Sequence, residues 1–147
     1  MIRKASAVWK GSLKEGKGSV STDSGVLANT QYSFSTRFED GKGTNPEELI
    51  AAAHAGCFAM ALSGQLGNAG LTPESLEVTA AVTLEKTEAG FTVTQSHLDL
   101  TAHIPGAPKD AFDKAADAAK AGCPISRLLK AEITLTSRLL TERATVA

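Results

Sequence analysis

The chain has 147 residues, 42% of them hydrophobic, which is apolar material enough for one core of ordinary density. Fifteen Lys and Arg against sixteen Asp and Glu give a formal charge of -1, so no basic field exists to hold a nucleic acid or an anionic membrane surface. Two cysteines, with no export-type leader because Lys10 interrupts the short apolar run before it, lead to the expectation of a cytoplasmic protein whose thiols pair only transiently, if they pair.

Residues 2–10 and 31–38 carry short alternating segments that fit half-buried strands, the second reading Tyr32-Ser33-Phe34-Ser35-Thr36-Arg37-Phe38. Gly11, Gly16, Gly18 and Gly25 mark turns between them. Asn45-Pro46-Glu47-Glu48 then starts a helix, with Asn45 as N-cap, Pro46 at the first position and two carboxylates facing the positive end of the helix dipole. That helix runs to about Gly67. Over residues 49–62 it is apolar on nearly every side and rich in alanine, so it is expected to be enclosed all round. With His54, Ser63 and Gln65 in it, its hydrophobicity reads as too low for a membrane span.

Residues 74–87 and 91–104 predict two longer strands joined by a hairpin at Glu88-Ala89-Gly90. A helix follows over 109–121, stopped by Gly122; a short helix runs from Pro124 to about Lys130, and a last strand from about 132 to 139. The order β-β-β-α-β-β-α-α-β describes one α+β domain over residues 1–147, without repeat or linker. A small domain has difficulty burying a helix that is apolar on all sides, so the spacing predicts a two-fold homodimer that covers it.

Thiolates attack peroxides and disulfides, so the cysteines are the first candidates for chemistry. Cys57 sits in the apolar helix, where desolvation raises a thiol pKa unless a cation offsets it; read alone, it is equally a small buried hydrophobe. Cys123 precedes Pro124 at a helix start, beside unsatisfied N–H groups that favour a thiolate; read alone, it is equally a capping residue of no chemical consequence. There is no Cys-x-x-Cys, and His54 and Lys120 stand where the Thr-x-x-Cys pattern of peroxiredoxins would place threonine. No metal site is expected: His97 and His103 lie too far apart on one strand, and His54 reads first as a satisfied core histidine, with a place at the border of a reactive site as the alternative. Neither a phosphate-binding glycine loop nor a Gly-x-Ser-x-Gly elbow is present.

Three segments together carry a resemblance: Thr36-Arg37-Phe38-Glu39; the run from Thr44-Asn45-Pro46-Glu47-Glu48-Leu49 through Ala53-His54-Ala55-Gly56-Cys57-Phe58-Ala59-Met60-Ala61-Leu62; and Cys123-Pro124-Ile125-Ser126. The chain closely resembles the OsmC branch of the OsmC/organic hydroperoxide resistance family over nearly its whole length. The resemblance implies an intertwined homodimer with the central helix packed against antiparallel sheets. It also implies a peroxidase without metal, haem or flavin, in which Cys57 attacks an organic hydroperoxide and Cys123 resolves it as a disulfide. Arg37 and Glu47 match the family's arginine and glutamate beside the reactive cysteine, and the reductant implied is a dithiol carried on lipoyl-bearing protein.

Glu47 and Cys57 are ten residues apart on one helix, about 15 Å along its axis, so Arg37 and Glu47 are expected to serve the Cys57 of a partner subunit. Two other classes remain open at the level of sequence: a thiol redox sensor without turnover, and a non-catalytic carrier of a small hydrophobic ligand with both cysteines as packing residues.

Overall fold

Strands β1 (Ala5–Lys10), β2 (Lys17–Thr22) and β3 (Thr30–Tyr32) form an antiparallel sheet in sequence order. They belong to a computed structural model in which residues 1–143 are described. The chain divides into two compact units, Met1–Leu49 and Ile50–Ala147. In the first unit Gly18 pairs with Trp9 on one side and Tyr32 on the other, and the two rings, 5.5 Å apart, close over it. A Cβ at position 18 would stand 2.5 Å from one ring and 2.6 Å from the other, so hydrogen is the side chain the packing accepts.

The segment after Tyr32 corrects the sequence expectation of a strand through residue 38. Phe34–Phe38 is a short helix, α1, started by a capping box: Thr36 N–H donates to Ser33 Oγ (3.3 Å) and Ser33 N–H to Thr36 Oγ1 (2.8 Å). Phe34 and Phe38, which fit a two-residue alternation, are also four apart on one helical face, where their ring centroids lie 4.9 Å from each other. Local capping decided between the two periods.

Helix α2 (Pro46–Asn68) begins where Glu48 N–H donates to Asn45 Oδ1 at 2.8 Å, as the N-cap reading requires. In the second unit, β4 (Ser75–Thr87) and β5 (Gly90–His103) make the expected hairpin, Gly90 adopting the left-handed φ of 109° at the turn. Helices α3 (Lys109–Gly122) and α4 (Pro124–Leu128) then lead to β6 (Glu132–Leu140). Here lies a second correction: β6 pairs parallel with β5, so this sheet is mixed. The two helices carry the chain back to the starting end of β5, which a parallel pair requires and a hairpin does not.

The core of this unit joins Leu98, Leu100 and Ala102 of β5, Phe112, Ala115, Ala116 and Ala119 of α3, and a ridge of α2 formed by His54, Phe58, Leu62 and Leu66 at four-residue intervals. Burying Phe58 alone stabilises by about 2–3 kcal/mol. The chain alone does not enclose α2 all round: Met60 is 80% exposed, and apart from the helix's own backbone and each glycine's chain neighbours no atom lies within 4 Å of where a Cβ would stand at Gly56, Gly64 or Gly67, which leaves open the face expected to be covered by a second copy. By length and composition α2 is also apolar enough to cross a membrane, with a mean hydropathy of 1.4, which corrects the reading that its hydropathy was too low.

Candidate active site

The four residues singled out in the sequence fall into two pairs, one in each unit. In the second unit Cys57 of α2 and Cys123, free thiols 66 positions apart, have their Sγ atoms 2.9 Å from each other. Cys123 is wholly buried and Cys57 only partly so. Cys123 is delivered there by the break between α3 and α4: at φ -56° and ψ 130° it leaves the helical region, and Pro124 restarts a helix at its first position. Its N–H donates to Ala119 O (2.9 Å) and its carbonyl accepts from Arg127 N–H (3.1 Å), so it closes one helix and opens the next.

The surroundings divide the pair electrically. Burial pushes the Cys123 thiol up, but the Cys57 thiol, the Ser126 amide and hydroxyl and the Ile125 amide favour its thiolate and together hold it below the ordinary cysteine value. This holds although the side chain makes no regular capping bond to α4. Cys57 goes the other way: burial first, then the hydrogen bond and charge of Cys123, push it up, and the Ile125 amide offsets only part.

His54, one turn before Cys57, is wholly buried with both ring nitrogens engaged: Nδ1 lies 2.6 Å from Ser96 Oγ and Nε2 2.8 Å from Ser126 Oγ. Burial lowers its pKa, so the ring is neutral at neutral pH. A satisfied core histidine was expected; its two serines were not. A signal existed for each. Ser96 shares the parity of Leu98, Leu100 and Ala102 on β5, a polar residue on the core face, and Ser126 follows Cys123 at capping-box spacing.

In the first unit, Arg37 at the end of α1 meets Glu47 in the first turn of α2. Nη2 donates to Oε1 (2.7 Å), and Nε donates to Oε1 (3.1 Å) and Oε2 (3.2 Å), which fixes the plane of the guanidinium. Asn45 Nδ2 donates to Thr36 O (3.0 Å), tying the end of α1 to the start of α2. Arg37 also lines a cavity of about 260 Å³ with Trp9, Leu13, Tyr32, Phe34 and Phe38. His97 and His103 are committed elsewhere, the first between Thr134 (2.5 Å) and Thr136 (3.1 Å), the second to the Glu142 carbonyl.

Residues 39–138, more than half of the chain, match the OsmC-like protein family. The chain belongs to the OsmC family. It is 56% identical over 137 residues to Peroxiredoxin OsmC of Escherichia coli strain K12, covering 93% of this chain and 96% of that protein. Among solved structures, an OsmC-like protein of unknown function from Vibrio cholerae superposes with a TM-score of 0.77 at 19% identity, covering 94% of this chain and 99% of that one, which shows the shared OsmC fold. An organic hydroperoxide resistance protein from Elizabethkingia anophelis superposes at 0.68 with 25% identity, covering 96% and 98%.

Proposed function

We propose that this OsmC-family chain is a cysteine-based peroxidase that reduces organic hydroperoxides to alcohols, with Cys57 as the attacking thiol and Cys123 as its resolving partner. One observation carries the reading: a partly open Cys57 sulfur lies 2.9 Å from a wholly buried Cys123 sulfur. Its 56% identity to a protein named Peroxiredoxin OsmC supports the same chemistry.

In the first step the Cys57 thiolate attacks the terminal oxygen of the hydroperoxide. An S–O bond forms, the O–O bond breaks, and the alkoxide takes a proton and leaves as an alcohol while Cys57 becomes a sulfenic acid. The Cys123 thiolate then attacks the Cys57 sulfur: an S–S bond forms, the S–O bond breaks, and the departing hydroxide is protonated to water. An external dithiol, for which the resemblance suggests lipoyl groups on protein in the cytoplasm, attacks the accessible Cys57 sulfur. It expels Cys123, whose stabilised thiolate is the better leaving group; the reductant's second thiol then attacks the mixed disulfide, its own S–S bond forming as the bond to Cys57 breaks and Cys57 leaves as a thiolate.

Since Cys57 is held above the ordinary thiol range, the first step needs a cation, and Arg37, oriented by Glu47, is assigned that part. The helix length between Glu47 and Cys57, about 15 Å, assigns Arg37 to the Cys57 of a partner subunit in a homodimer. The open, small-residue face of α2 around Gly56, Gly64 and Gly67 supports such a partner. The aromatic lining of the cavity beside Arg37 supports alkyl or aryl hydroperoxides over hydrogen peroxide.

The test is steady-state reduction of cumene hydroperoxide with dihydrolipoamide. Wild type is expected to turn over, Cys57→Ser to be inert, and Cys123→Ser to consume one equivalent and stop. A wild type that oxidises once and is not re-reduced by any dithiol would instead make the chain a sensor. Thiols inert to peroxide would leave the carrier reading.

A further inference from the structure

His54 is assigned no step in that cycle, yet it is the polar member of the α2 ridge whose other members are Phe58, Leu62 and Leu66. A leucine would continue that ridge with no polar atom to satisfy. The wholly buried imidazole instead meets a hydroxyl on each side: Ser96 Oγ of β5 lies 2.6 Å from Nδ1, and Ser126 Oγ of α4 lies 2.8 Å from Nε2. In a neutral ring one nitrogen donates and the other accepts, and a serine hydroxyl can do either, so both contacts are hydrogen bonds in either tautomer. Among the described residues no buried side-chain nitrogen or oxygen is left unpaired. Held at both nitrogens, the ring has one orientation, which apolar packing alone does not impose.

Ser126 follows Cys123 by three residues and His54 precedes Cys57 by three, so on each side one helical turn separates the hydrogen-bonding residue from the sulfur. Helix α2 and the turn from Cys123 to Ser126 therefore meet twice, through His54 and Ser126 at 2.8 Å and through Cys57 and Cys123 at 2.9 Å. That turn moves as one piece, because the Cys123 carbonyl accepts from Arg127 N–H at 3.1 Å. Helix α4 has only five residues, with Ile125 partly buried against the core and Leu128 74% exposed, so a bond at Ser126 is a large share of what attaches it.

We infer that His54 is a positioning residue for disulfide formation: its bond to Ser126, with Ser96 steadying the ring, fixes the Cys123 turn against α2 and so sets the reach of Cys123 for the Cys57 sulfur. A hydrogen bond constrains direction as well as distance, whereas an apolar contact at this place would let α4 slide along α2. The step served is resolution, in which the Cys123 thiolate attacks the Cys57 sulfenic acid, S–S forming as S–O breaks and hydroxide leaves to become water. Its rate depends on how much of the time the two sulfurs lie in contact and in line. The importance of the tie for peroxide reduction rests on the peroxidase reading; its effect on closing the disulfide does not.

Thiol–disulfide equilibrium tests the tie without hydroperoxide. The chain, oxidised with diamide, is equilibrated against graded ratios of reduced and oxidised dithiothreitol, and the remaining thiols are alkylated and counted by mass spectrometry. Ser126→Ala and His54→Leu are each expected to lower the constant for closing the disulfide about fivefold, the worth of one neutral hydrogen bond. The two together lower it no further, because they remove the same bond. Ser126→Thr, which keeps the hydroxyl, retains the wild-type constant, and His54→Leu keeps the Ser126 hydroxyl itself, so a loss seen there comes from the tie. A side chain that matters for the fold alone lowers the melting temperatures of the reduced and oxidised forms alike and leaves the constant where it was; that outcome overturns the proposal.

Should His54→Leu fail to fold, the comparison of Ser126→Ala with Ser126→Thr decides. In single turnover with one equivalent of cumene hydroperoxide, Ser126→Ala is expected to slow the decay of the Cys57 sulfenic acid to disulfide about fivefold, and decay at the wild-type rate overturns the proposal. A wild type that consumes no hydroperoxide overturns the proposed function and leaves the dithiothreitol result standing. A wild type that turns over while Ser126→Ala keeps the wild-type constant does the reverse.

Discussion

Cys57 keeps part of its surface open, while Cys123, with its sulfur 2.9 Å away, keeps none. A brief pulse of iodoacetamide on the native, reduced chain should therefore label Cys57 and spare Cys123, as read by peptide mass spectrometry. Because burial and the neighbouring Cys123 hold the Cys57 thiol up, its labelling rate should still be rising with pH where an ordinary cysteine levels off. Cys123→Ser removes the second of these causes and moves the inflection down. An inflection that stays put would mean that the sulfurs do not share a proton.

The Arg37–Glu47 pair separates activity from stability. With the Arg37 side chain 38% exposed, losing the ion pair through Glu47→Gln should change stability by less than about 1 kcal/mol. If the guanidinium acts on the thiolate, the same change should lower kcat/KM for cumene hydroperoxide about tenfold, and Arg37→Met about a hundredfold. A shifted melting temperature with unchanged kcat/KM would reduce the pair to a structural tie.

Gly18→Ala places a methyl group against the rings of Trp9 and Tyr32, which come from both neighbouring strands and have no shared direction in which to retreat. A loss of about 1–3 kcal/mol is expected. Trp9 is the one tryptophan of the chain, so its fluorescence in urea reports this sheet directly. An unshifted midpoint would show that the rings give way.

His54 makes stability depend on pH. Its folded-state pKa is lowered by burial, so below about pH 6.5 the unfolded chain takes up a proton that the folded chain refuses. The unfolded state then binds more protons, and stability falls as the pH drops from 7 toward 5. Urea midpoints at the two pH values should differ less in His54→Gln than in wild type, and equal differences would show that His54 does not carry the effect.

Joining Cys57 to Cys123 closes a loop spanning 66 positions, which in the chain-entropy account favours the folded oxidised form by about 4 kcal/mol. Oxidised wild type should melt well above the reduced form, and Cys57→Ser should melt at one temperature under both conditions. Coincident wild-type melts would mean that the bridge strains the fold by as much as it restrains the unfolded chain.

Much of this was legible in the sequence because it is local. Asn45-Pro46-Glu47-Glu48 supplies every element of a helix start within four residues, and the β4–β5 hairpin is announced by alternation on both sides of Gly90. The segment Ser33 to Phe38 was misread because Phe34 and Phe38 satisfy a period of two as well as a spacing of four; the Ser33–Thr36 box settles it. The parallel pairing of β6 was hidden for another reason: direction depends on how α3 and α4 traverse the sheet, which no local pattern encodes. The roles expected of Cys57 and Cys123 came from resemblance, while their meeting across 66 positions needed the fold. Ser96 and Ser126 were overlooked because hydroxyls are common; only the buried imidazole between them makes them informative.

The break between α3 and α4 has one more consequence. It holds the Cys123 sulfur within an ångström or so of bonding distance, so no segment has to unwind before a freshly oxidised Cys57 is captured. On the proposed cycle, a second molecule of oxidant must then win a race against a neighbour already in place, which keeps the cysteine off the irreversible rungs beyond sulfenic acid. A chain arranged in this way would endure a surge of hydroperoxide rather than be silenced by it, with its ceiling set by the supply of reductant.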